Sequence, residues 1–144
     1  MPIKPHETTV AAWIALARAG RLVTARIEQR LKEEELPPLS WYDALWELEK
    51  AGDCGLRPFE LEKALLFEQY NLSRLADRLV GAGLVERGAC PEDRRGFRLR
   101  ITAEGRVLRQ DMWAVYGAAI EEAIGERLTV EDAETLAVLL KKLQ

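Results

Sequence analysis

From residue 9 to about residue 34, apolar side chains return every three or four positions at Trp13, Leu16, Ala17, Gly20, Val23, Ile27 and Leu31, and Arg and Glu fill most of the rest. That period describes one long amphipathic helix. The stretch "LPPLS" (36–40) interrupts it, because neither proline can continue a helix. Ser40 followed by Asp43 has capping-box spacing, which predicts a second helix over residues 41–50. "AGDCG" (51–55) then reads as a loop.

Two short helices follow, "RPFELEKALL" and "EQYNLSRLADRLVGAG", joined by a brief turn. Leu61 and Leu65 lie one turn apart in the first, and Leu72, Leu75, Ala76, Leu79 and Val80 make one apolar stripe in the second. Gly81 and Gly83 end that helix, as glycine does at helix C-termini. "LVERG" and "GFRLRIT" read as strands around the loop "ACPEDRR", with Phe97, Leu99 and Ile101 alternating with Arg98 and Arg100. Thr102 is expected to cap a long helix to about residue 125, with Val107, Leu108, Met112, Val115, Ala119 and Ile120 as its apolar positions. Thr129 with Asp132 opens a final helix carrying Leu136, Leu139, Leu140 and Leu143.

The predicted class is therefore mainly α with a small β-hairpin wing. A compact winged helix–turn–helix occupies residues 56–105, and flanking helices occupy residues 9–50 and 106–144. The flanks are longer and more apolar than so small a module requires. Their expected use is to pack against the same helices of a second subunit, as a dimerisation domain.

Composition narrows the picture. A chain of 144 residues with 48% hydrophobic and 31% charged residues suits one globular domain. No apolar run reaches the roughly 20 residues of a membrane span, and "MPIKPHETT" lacks a secretory apolar core, so the cytoplasm is expected. One histidine, His6, and two cysteines, Cys54 and Cys90, leave little for a catalytic triad, a metal centre or a disulfide framework. G-x-G-x-x-G, P-loop and G-x-S-x-G motifs are absent, so no enzyme, metal or cofactor is expected. The net charge is −3, yet residues 57–106 hold ten basic against eight acidic side chains, and residues 87–100 hold five arginines against two acids. A locally positive field favours a polyanion partner.

The second helix of a helix–turn–helix enters the major groove, where all four base pairs differ. Gln69 and Asn71 suit adenine edges, Arg74 suits guanine or phosphate, Ser73 and Tyr70 suit phosphate oxygens, and Arg78 adds phosphate attraction. Viewed alone, the same residues also describe a solvated face with an Arg–Asp pair. The hairpin adds Arg94 and Arg95 at its turn, with Arg98 and Arg100 on the strand, as a basic finger suited to a narrow minor groove. A charged edge strand would explain the alternation but not the two further arginines at the tip.

"LSRLADRLVGAGLVER" (72–87) and "PEDRRGFRLRITAEG" (91–105) together resemble the core of the MarR family of transcriptional regulators. The second segment carries the family's Asp-x-Arg wing motif at Asp93 and Arg95, and its "IT-x-x-G" exit into a long helix. The resemblance implies a homodimer whose first and last helices interleave. It also implies two winged lobes reading a palindromic operator in double-stranded DNA, most often as a repressor. By the same resemblance Arg95 enters the minor groove with Asp93 holding it, and Ser73 and Arg74 fall on recognition-helix positions. Arg57 and Glu68 stand where relatives often carry Ser or Thr, and Tyr70-Asn71 replaces a commoner Ser-Thr pair, which implies a different operator.

Family members are often released from DNA by a small aromatic or phenolic acid bound between lobe and dimerisation helices. Trp13, Trp41, Tyr42 and Trp46 lie where they could wall such a pocket, or could equally be core. Arg18, Arg21 and Arg26 are candidates for a carboxylate. Some relatives instead sense oxidants through a first-helix cysteine, which is missing here. Cys90 among the wing arginines could carry a lowered thiol pKa, or both cysteines could be ordinary. A winged-helix protein-interaction module and a thiol-based redox-sensing regulator are the competing readings.

Overall fold

The computed structural model describes residues 2–68, 71–90, 92 and 95–144. Its elements run α1 (Glu7–Glu33), α2 (Leu39–Ala51), a 3-10 turn (Gly52–Cys54), α3 (Pro58–Ala64), α4 (Leu72–Gly81), β1 (Val85–Gly88), β2 (Arg98–Ile101), α5 (Ala103–Ile120), a π turn (Glu121–Gly125) and α6 (Val130–Lys141). This is a mainly helical winged helix–turn–helix with an antiparallel two-stranded wing, as the hydrophobic pattern predicts.

The helix termini show what local sequence can and cannot specify. Thr129 and Asp132 form the expected capping box, with Asp132 N–H donating to the threonine hydroxyl at 3.1 Å. Thr102 caps α5 by accepting from Gly105 N–H at 3.1 Å, and its hydroxyl donates to the Gly83 carbonyl at 2.7 Å. The glycine of "IT-x-x-G" has a steric reason: a Cβ on Gly105 would lie 2.3 Å from the Leu84 carbonyl oxygen, so α5 could not approach β1.

Ser40 and Asp43 do not cap α2. The helix begins at Leu39, whose N–H donates to the Glu28 carboxylate of α1 at 2.6 Å, while Asp43 is buried in the helix and turned to another task. Likewise α1 ends before the prolines. Glu35 adopts a left-handed φ of 57°, and the Leu36 N–H returns to the Leu31 carbonyl at 2.9 Å in a C-terminal cap normally built with glycine.

Two apolar clusters share α2. One joins Ala44, Leu45 and Leu48 to Leu61, to the predicted α4 stripe, and to Val85, Leu99 and Ile101 of the wing. The other joins Leu39 and Tyr42 to Ile27 and Leu31 of α1 and to Met112 and Ala119 of α5. Thus α2 is the plate between lobe and long helices. Several predicted apolar positions face outward instead: Phe97 and Val107 beside the lobe, Trp13 and Leu16 on α1, and Leu136, Leu139 and Leu143 near the C-terminus are exposed.

The wing pairs Val85 with Ile101 and Gly88 with Arg98, and Leu56 adds an isolated bridge to Leu99. Gly55 makes that approach possible, because a Cβ there would lie 1.9 Å from the Leu99 carbonyl oxygen and its φ is +65°. Cys54, just before, is disulfide-bonded to Cys90 at the end of the wing's first strand, with a Cα–Cα separation of 4.8 Å. This corrects both expectations for the cysteines: neither is a free reactive thiol, and they are not independent. No helix among the described residues is long and apolar enough to cross a membrane.

Candidate nucleic-acid interface and the cleft behind it

Helix α4 buries Leu72, Leu75, Ala76 and Leu79 in the lobe and turns Ser73, Arg74, Asp77 and Arg78 to solvent. The helix begins later than predicted, at Leu72, because Asn71 is its cap: the Asn71 amide oxygen accepts from Arg74 N–H at 2.8 Å. That oxygen is thus held against the helix start, and the side-chain NH2 faces other partners. Asp77 pairs with Arg87 of β1, so the Arg–Asp pair of the alternative, solvated-face reading is made across the lobe. Gln69, Tyr70, Asp93 and Arg94 lie outside the described residues.

The wing differs from a uniform basic finger. Arg95 near its tip is exposed. Arg98 is largely covered and reaches the Glu60 carboxylate of α3 at 3.8 Å. Arg100 donates to the Ala89 carbonyl at 3.3 Å and approaches Glu86 at 3.6 Å. Glu60 also accepts from Arg57 N–H at 2.9 Å, so the start of α3 is capped from within the helix and Arg57 itself provides no cap. The strand arginines thus brace the lobe, and positive charge is presented at the tip and along α4.

Behind the lobe, α2, α5 and the α3–α4 turn enclose a cleft of about 540 Å³. Tyr42 and Trp46 line it as expected. Trp13 does not: it projects from α1, 64% exposed. Trp41 packs on the lobe's core. The residues that complete the cleft come from α5, where Arg109, Trp113 and Tyr116 share one face. Their three- and four-residue spacing is visible in the sequence, and reading α5 only for aliphatic positions misses it. Tyr42 and Tyr116 meet edge to face at 4.9 Å, and Trp113 meets Tyr116 at 5.5 Å.

The cations of the cleft are Lys50 and Arg109, and not Arg18, Arg21 or Arg26. Arg109 lies 4.9 Å over Trp46 and pairs with Glu49 at 3.0 Å. Arg26 lines a second, polar cleft of about 500 Å³, where Arg30 of α1 is bonded to Glu122 of the π turn. That bond holds the Arg30 guanidinium above its usual range.

Burial pushes the Tyr42 hydroxyl up, against an opposing hydrogen bond from Arg109. Burial likewise raises Tyr116, helped by the charge of Asp43. Asp43 is the buried charged residue of the described chain. Its carboxylate accepts from Leu66 N–H at 2.7 Å, and desolvation raises its pKa while backbone hydrogen bonds from Leu66 and Phe67 pull it back.

Comparison with known proteins agrees with this geometry. The sequence model of the MarR family matches residues 36–96. The multiple antibiotic resistance protein MarR of Escherichia coli K12 is 32% identical over 132 residues, covering 90% of this chain and 91% of that protein. The crystal structure of Sco3205, a MarR family transcriptional regulator of Streptomyces coelicolor in complex with DNA, superposes with a TM-score of 0.85 at 25% identity, over 99% of this chain and 89% of that one. CouR of Rhodococcus jostii RHA1, bound to p-coumaroyl-CoA, superposes with a TM-score of 0.76 at 25% identity, over 89% of this chain and 87% of that one.

Proposed function

The chain belongs to the MarR family of transcriptional regulators, and from that premise we propose that it binds a palindromic operator as a homodimer, acting in the cytoplasm as a repressor. The observation that carries this reading is an exposed, basic edge of the lobe. Ser73, Arg74 and Arg78 on α4 face outward, and Arg95 is exposed on the neighbouring wing. Helix α4 would lie in the major groove, with Arg74 and the free NH2 of Asn71 at base edges and Ser73 and Arg78 at phosphates. Gln69 and Tyr70 precede that helix and would add contacts at its entry. Arg95 would enter the minor groove, with Asp93 and Arg94 beside it. Arg98, drawn toward Glu60, would support the wing from behind.

The DNA complex of Sco3205 supports this assignment by likeness. Exposed apolar side chains on α1 and α6, Trp13, Val138 and Leu139 among them, and Leu143 just beyond α6 support a second copy as the surface that covers them. The cleft behind the lobe suits a small aromatic effector, and the acyl-CoA complex of CouR supports such a position. No catalytic role is assigned.

In vitro selection from a random duplex library at about 0.15 M salt tests the reading. Enrichment of a palindrome with half-sites about one turn (~34 Å) apart is the expected result. Retention without a consensus, or no retention, would replace it with the protein-interaction reading.

A further inference from the structure

The cleft and the α3–α4 turn meet at one side chain. Asp43 is 4% exposed, on the same helix as Tyr42 and Trp46 of the cleft wall. Its carboxylate crosses to the turn between α3 and α4, where Leu66 N–H donates to it at 2.7 Å and the neighbouring Phe67 backbone also favours its charged form. Leu66 and Phe67 lie beyond the end of α3 and before α4, so their N–H groups have no place in either helical ladder. Leu66 itself lines the cleft. One carboxylate therefore belongs to the cleft and fixes the backbone that leads into α4.

We propose that Asp43 is a positioning residue for DNA recognition: its ionised carboxylate holds the α3–α4 turn, and removing that charge from the cleft side releases the aim of α4. The inference rests on the operator-binding reading. The charged and titratable groups around Asp43 are Glu47 and Lys50 on its own helix, with Tyr116 and Arg109 on α5.

A stability role accounts poorly for this carboxylate. Burial raises its pKa above the unfolded value, so ionising it in the fold costs stability. The sign follows: its contribution is most favourable below the unfolded pKa and is lost as pH rises through the raised, folded value. What the ionised form provides is a charge-assisted hydrogen bond to the turn, from Leu66 N–H. Acidification should stabilise this site and yet weaken its grip on the turn.

Asp43→Asn in the full chain separates the two effects. The expected variant melts within about 3 °C of wild type. It exchanges the Leu66 and Phe67 amides about tenfold faster, and binds the selected operator about tenfold more weakly at pH 7. On acidification the affinity gap between the two proteins should narrow, as the wild-type carboxyl, raised by burial, takes up its proton. Equal affinities at pH 7, or a loss of affinity matched by a loss of folding stability, would overturn the proposal. Should the variant not fold, the wild-type protein decides: the Leu66 and Phe67 amide resonances must titrate together with the Asp43 carboxyl, and independence of the two overturns the proposal. If wild type binds no duplex, the operator reading falls and this inference with it. If wild type binds and the variant binds equally, only this inference falls.

Discussion

In the lobe, Leu45, Leu48, Leu61, Leu79 and Leu99 are each no more than 1% exposed, whereas Trp13 on α1, Val138 and Leu139 on α6, and Leu143 just beyond it are between 51% and 71% exposed. The two regions come from one chain and are similarly rich in leucine. They differ in whether each apolar stripe has met another. In the lobe, the stripe of α4 meets α2 and both strands. At the far end, α6 touches little beyond the π turn, and its stripe faces outward. Burying a large apolar side chain contributes about 1.5–3 kcal/mol, so the lobe holds itself together while the terminal helices gain most from an added surface.

Breaking the uncovered region should have the largest effect. Leu139→Glu places a charge in the face assigned to the second copy, and sedimentation at micromolar concentration should show monomers, with operator affinity reduced at least about hundredfold. A stable dimer would move the interface elsewhere. In the covered region, Leu79→Ala should cost about 2–5 kcal/mol in denaturant unfolding, whereas Val138→Ala should change the monomer's stability by less than about 0.5 kcal/mol. Equal costs would erase the contrast.

The lobe has one further restraint. The Cys54–Cys90 bond closes a loop over a sequence separation of 36 residues. Chain entropy gives such a cross-link about 3–4 kcal/mol, so the oxidised protein should unfold at higher denaturant than the reduced one or than Cys90→Ser. Coincident transitions would show that the bond adds nothing to the lobe. The smallest effect is a gain: Glu35→Gly should relieve the left-handed backbone after α1 and add up to about 1 kcal/mol to thermal stability.

What the sequence discloses divides along a physical line. Spacing within one element states which face is buried, so the α4 stripe, the Leu99–Ile101 alternation and the Thr102 and Thr129 caps were legible. Contacts that cross elements were not. Nothing local to Leu39 announces that Glu28 will cap it, and nothing local to Asp43 distinguishes a capping residue from one that reaches Leu66, 23 positions away. Cys54 and Cys90 meet for the same non-local reason: Leu56 pairs with the wing and brings the residue two before it alongside. Phe97 and Val107 continue apolar patterns past the point where the lobe has anything left to cover them. Of the cleft, Tyr42 and Trp46 could be named from α2, but Arg109, Trp113 and Tyr116 needed the crossing of α2 with α5.

On the proposed reading, DNA is bound by the exposed edge of the lobe, α4 with the wing. Titrating the selected operator with wild type and Arg95→Ala at about 0.15 M salt tests it most directly, with dimerisation monitored in parallel. Binding should weaken by about tenfold, with the dimer intact and a shallower dependence on salt. An unchanged affinity and salt slope would contradict it, and would leave the wing as a support for the lobe and not a contact with DNA.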